Sequence, residues 1–118
     1  MSLQNLKDKI ASWQEMRNAE KYCREHNNVS LYGLDNGAVC FFLHSFLQKR
    51  QGRVCIVVPS EKEISQMLSD IETAGFTADV FPWWGNLAYR GLAQNSSIFA
   101  ERTHALLRII EDDRAITV

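Results

Sequence analysis

Two stretches of this chain have residue types and spacing that could do chemistry, and the first is glycine-rich. Gly33-Leu34-Asp35-Asn36-Gly37-Ala38-Val39-Cys40 follows the apolar run Val29-Ser30-Leu31-Tyr32 and opens a second apolar stretch. That is the context in which backbone N–H groups at a helix start cradle an anion. A working phosphate loop reads G-x-x-x-x-G-K-[ST]. Its glycines let the backbone curl round the phosphates, its Lys reaches the β and γ oxygens, and its hydroxyl holds Mg²⁺. Here Gly33 fills the first position, but Ala38 replaces the second glycine, Val39 the Lys and Cys40 the hydroxyl. Charge neutralisation and the metal ligand are both missing, and a soft thiolate is a poor match for Mg²⁺. Asp35 would also set a carboxylate against incoming phosphate. The loop of Gly33, Gly37, Ala38, Val39 and Cys40 is therefore read as degenerate, with no catalytic residue, cofactor or metal of its own. What remains is a strand-to-helix turn, with Gly33 giving the bend and Asp35 or Asn36 capping the helix.

The second stretch is Phe81-Pro82-Trp83-Trp84-Gly85-Asn86-Leu87-Ala88-Tyr89-Arg90. Aromatic rings with an arginine in a loop can cover the end of a sheet, meet another protein domain, or stack bases. Base stacking gets little help from charge, because 13 Lys and Arg against 14 Asp and Glu leave a formal net charge of −1. Arg102 lies four residues after Ile98 and four before Leu106, on the helix side that should face the core. It reads either as a snorkelling side chain paired with a carboxylate or carbonyls, or as a link to the aromatic loop or a neighbouring domain. Trp83, Trp84, Tyr89, Arg90 and Arg102 are the candidate contact residues. Glu101 suits the start of its helix and needs no further role. His26, His44 and His104 have no partner spacing. Cys23, Cys40 and Cys55 are an odd number without C-x-x-C spacing, and the last two lie in apolar runs as expected buried thiols.

The elements that must position these residues alternate. Leu6, Ile10, Trp13, Met16 and Cys23 give one amphipathic helix over residues 6–26, ended by Asn27-Asn28. Residues 29–32 read as a strand, and residues 38–50 as a broad apolar helix. The run Val54-Cys55-Ile56-Val57-Val58 has the β-branched content of a buried parallel strand over residues 53–58. Pro59 stops it, Ser60 with Glu63 forms a capping box, and Ile64, Met67, Leu68 and Ile71 face a third helix inward. Gly75 fits just past that helix end. A strand over residues 77–81, a loop over 82–96 and a helix over 97–111 follow, the last with Ile98, Ala105, Leu106 and Ile109 inward. Residues 114–118 then begin a strand. The expected fold is α/β: a parallel sheet of about four strands with right-handed crossovers, helices on both faces, and a degenerate P-loop subdomain of RecA-like or helicase-like type.

At 118 residues the chain amounts to about one small domain. No apolar run approaches the roughly 20 residues that span a bilayer, so no membrane partner is expected. The start lacks the basic and apolar regions of a signal peptide, which makes the expected compartment cytoplasmic. Residues 1–3 read in part as an expression scar, and the half-written final strand implies a fragment of something larger.

Phe81-Pro82-x-Trp84-x-x-Leu87-x-Tyr89, then Ile98, Glu101-Arg102 and Leu106-Leu107, resemble the N-terminal domain of the bacterial transcription-repair coupling factor. They are also similar to the N-terminal domain of the B subunit of the bacterial excision nuclease. Two positions depart from the pattern: Gly85 stands where an acidic residue is usual, and Ala88 where Pro is usual. The excision-nuclease subunit keeps an intact phosphate loop, so Val39 and Cys40 point to the coupling factor. The resemblance implies that residues 4–118 are the first part of a multidomain protein. Its parent would be an ATP- and Mg²⁺-dependent, helicase-like DNA translocase of nucleotide-excision repair. That parent is implied to contact DNA, displace stalled RNA polymerase and recruit the excision-repair A subunit. This segment would be a non-hydrolysing scaffold that meets other domains of the same protein. The alternative is the excision-nuclease B subunit, or another divergent nucleotide-binding ATPase domain.

Overall fold

The computed structural model describes residues 2–34, 37–84 and 96–118. The chain divides into two compact units, residues 1–50 with 70–76, and residues 51–69 with 77–118.

The first unit is helical. Helix α1 (Leu3–Ala11) is capped by Ser2, whose Oγ accepts the Asn5 N–H at 3.2 Å, and α2 spans Gln14–Glu25. The single helix expected over residues 6–26 breaks at Ser12 and Trp13. The Ser12 hydroxyl donates to the Lys9 carbonyl at 2.6 Å, and Trp13 turns to extended backbone. A serine side chain offers the backbone a rival to the next helical bond. The apolar spacing from Ile10 to Trp13 to Met16 runs on regardless, so the pattern hides the break.

Helix α3 (Ala38–Gln48) packs against α1 and α2 and buries Cys40, Leu43, His44, Ser45 and Leu47. A buried carboxylate ties it to α2. Glu20, 3 % exposed, accepts hydrogen bonds from the Ser45 hydroxyl and, at 2.7 Å, from the Lys49 ammonium, with Arg24 at 3.6 Å. The His44 Nδ1–H donates to the Ala74 carbonyl at 2.8 Å, and its Nε2 lies 3.7 Å from the Asp8 carboxylate.

Helix α4 (Glu61–Ala74) ends in a Schellman arrangement. Phe76 N–H bonds back to Ile71 and Gly75 N–H to Glu72, with Gly75 at φ +96, a conformation glycine adopts without strain.

The second unit holds the strands found among the described residues. Strand β1 (Val54–Cys55) pairs in parallel with β2 (Ile116–Thr117), in the register Val54↔Ile116 and Cys55↔Thr117. On the other side of β2 an isolated bridge joins Asp79 to Thr117. Bonds from Val54 N–H to Ala115, Ile56 N–H to Thr117 and Phe81 N–H to Val118 extend the pairing at 2.8–2.9 Å. The last residues in sequence are thus central, and residues 115–118 are all buried. Helix α5 (Ser96–Glu111) packs on β2.

This corrects the expected fold. Among the described residues there are five helices and one two-stranded parallel sheet, not a sheet of four strands with helices on both faces. Residues 29–32 enter no ladder, and Tyr32 is 93 % exposed. A strand exists only where its backbone groups meet a second edge, and this short run meets none among the described residues. The glycine stretch therefore does not follow a strand, which removes the P-loop arrangement too. Residues 53–58 are also not buried on both faces, since Cys55 is exposed and Val57 is 88 % exposed. No helix among the described residues is long and apolar enough to cross a membrane.

Candidate functional site

In the first unit the glycine stretch closes on itself. Gly33 has φ +81, and Gly37 caps α3 with no side-chain hydrogen bond. The Cys40 thiol donates to the Gly37 carbonyl at 3.0 Å, and Ala38 and Val39 are partly buried in the first turn. Asp35 and Asn36, the expected caps, lie outside the described residues. Burial above all, with the Asp70 carboxylate adding to it, pushes the Cys40 thiol up from its ordinary value of 9.0. Its sulfur is thus a protonated donor turned into the helix.

That shift has a measurable consequence. A thiol favoured in its neutral form when folded stabilises the chain fully below its unfolded value and loses that contribution as pH rises through the folded one. Urea midpoints are expected to fall as pH rises past the thiol's ordinary value of 9.0, and Cys40→Ala should flatten that limb. Neutral-pH iodoacetamide should modify exposed Cys55 well before Cys40. Equal labelling of the two would contradict the buried thiol.

In the second unit Arg102 of α5 is held on three sides. Its guanidinium carbon lies 3.8 Å from the Phe81 ring centroid and 4.4 Å from that of Trp84, and its Nη1 donates to the Pro82 carbonyl. Trp84 in turn sits 6.4 Å from Phe99 of α5. A flat cation between two aromatic faces combines electrostatic attraction with stacking. Trp83 stands apart from this cage and is more than half exposed. Tyr89 and Arg90, with Gly85 and Ala88, lie outside the described residues.

Trp83 instead borders a groove of about 620 Å³ whose wall also includes Val57, Pro59, Ile64, Leu106 and Val118. These residues place it beyond the carboxyl ends of the three paired segments, where open parallel sheets commonly hold ligands. Among the described residues Glu61 is the charged residue in its lining, and none of them brings a cation that would hold a phosphate. Apolar groups suit it best. The apolar spacing of α5 predicts Leu106 facing inward, whereas it is half exposed along this groove.

His104, assigned no chemistry from sequence, lies 3.4 Å from the Asp79 carboxylate, which Arg108 also approaches at 3.5 Å. Arg108 continues to Asp112 at 3.2 Å. An Asp–His pair can orient a general base, but here the guanidinium competes for the same carboxylate and the arrangement is a surface ion network. Among the described residues no group of three or more His, Cys, Asp or Glu could hold a metal ion. No protein-family model, curated protein or solved structure matches the chain.

Proposed function

We propose that this chain is a non-hydrolysing interaction segment of a transcription-repair coupling protein. Its parent would be a cytoplasmic, ATP- and Mg²⁺-driven DNA translocase that releases stalled RNA polymerase and recruits nucleotide-excision repair through the A subunit. The segment serves as scaffold and as a contact for other domains of that protein. The observation that carries this reading is the convergence of motif positions: Phe81, Pro82 and Trp84 all meet Arg102, about one loop away in sequence. The glycine stretch supports the non-hydrolysing part, because Val39 and Cys40 bring neither a cation nor a magnesium ligand to it.

Titrating the chain with ATP and Mg²⁺ while following tryptophan fluorescence is expected to give no saturable change. Micromolar binding would overturn the non-hydrolysing reading and favour a nucleotide-binding ATPase. Sequencing the gene beyond the codon for Val118 addresses the parent. Helicase motifs with an intact Gly-Lys-Thr loop are expected there, and a stop codon in their place would exclude it.

A further inference from the structure

Helix α5 is apolar on two faces. Its inner face places Ala105 fully buried and Ile98 and Ile109 partly so. A second stripe points to water, with Phe99 56 %, Leu106 50 % and Ile110 74 % exposed. Together with exposed Thr103, these positions recur at alternating steps of four and three residues, the spacing of a coiled-coil seam. The Thr103 hydroxyl already donates to its own Phe99 carbonyl at 2.8 Å, so the seam is offered its methyl group.

We propose that this seam pairs with the same seam of a second copy of the chain, the two α5 helices lying antiparallel about a two-fold axis between residues 104 and 105. That register sets Phe99 opposite Ile110 of the second copy and Thr103 opposite its Leu106. Each layer then joins a larger side chain to a smaller or β-branched one, as interdigitating layers require. The seam is self-complementary in sequence, which an isologous contact demands. No charged residue lies on it, and a net charge of −1 sets little repulsion between copies. The area is also sufficient. With Leu107 beside it, and with Val57 and Trp83 sharing a groove with Leu106, the stripe leaves on the order of 600 Å² of apolar side chain in water, near the ~800 Å² per partner of a standard interface. This pairing stands independently of the repair assignment.

Sedimentation equilibrium of the 118-residue chain is expected to show a monomer–dimer equilibrium in the range of about 1–100 µM. Ile110→Glu places a charge in the seam at a mostly exposed site, and should weaken association at least about tenfold without changing helix content by circular dichroism. Thr103→Val should tighten it about threefold by exchanging a polar for an apolar group, a gain that misfolding would not produce. In a Cys23→Ser, Cys55→Ser background, Phe99→Cys combined with Ile110→Cys should oxidise to a covalent dimer. A chain that stays monomeric throughout overturns the proposal, as does a dimer indifferent to Ile110→Glu. Capture of a foreign helix by a monomeric chain would likewise overturn it in favour of a different occupant.

Discussion

Replacing Arg102 with alanine is expected to lower stability by about 2–4 kcal/mol, read as a drop in the urea midpoint followed by tryptophan fluorescence. Two ring contacts worth roughly 0.5–2 kcal/mol each and a charged hydrogen bond worth about 1.5–3 kcal/mol are lost together, with partial exposure reducing the sum. Lysine keeps the charge but not the flat fork that lies between Phe81 and Trp84, so Arg102→Lys should recover less than half of the loss. Trp84→Ala should cost less than Arg102→Ala, because the Phe81 face and the Pro82 carbonyl remain. Should Arg102→Ala cost under about 0.5 kcal/mol, within the range of an ordinary surface change, the cage would hold no energy.

Glu20→Ala is expected to cost about 3 kcal/mol in the first unit. It strips the acceptor from the Ser45 hydroxyl, which is itself buried, and leaves the Lys49 ammonium without its partner. A buried polar group left unpaired bears its full desolvation penalty. Lys49 and Arg24 are about half exposed or more, so solvent screening trims the ionic share. Glu20→Gln, which keeps an oxygen for Ser45, should cost about half as much. Differential scanning calorimetry would show the alanine variant melting roughly 10 °C lower, given a few degrees per kcal/mol at this size. A shift of no more than a degree would mean that water replaces the carboxylate freely.

How much of this was legible in the sequence differs by element. Helices α3, α4 and α5 announce themselves through stretches long enough to repeat an apolar spacing several times. Gly75 marks a stop because only its left-handed backbone closes the Schellman bonds of α4. The break at Ser12 escapes notice because one hydroxyl on the Lys9 carbonyl leaves no trace in the spacing of Ile10 and Trp13. The sheet is smaller than the sequence predicts for a different reason. Val29-Ser30-Leu31-Tyr32 and Val54-Cys55-Ile56-Val57-Val58 advertise extended backbone, but whether a second edge arrives beside them is a property of the rest of the chain. Residues 54–56 find one edge and residues 29–32 find none among the described residues. The candidate site is intermediate. The type and position of Arg102 showed that it must find a partner, yet its carbonyl and its rings lie some twenty residues earlier, beyond any local pattern. The groove beside Trp83 has no signature at all, since its wall draws on four separate segments.

The central place of residues 115–118 also sets the order of events as the chain acquires its structure. Helices α1, α2 and α3 gather contacts among neighbours in sequence, and such local contacts form early. Among the described residues, the backbone bonds that align residues 54–56 and 79–81 are made to the segment that follows α5. On a ribosome, those two segments must wait as unpaired backbone until residues 115–118 emerge, and closing loops of that span slows the step further. The second unit is therefore the late-folding half of the chain, and the period before its last segment arrives is when Val57 and its neighbours are most open to unwanted association.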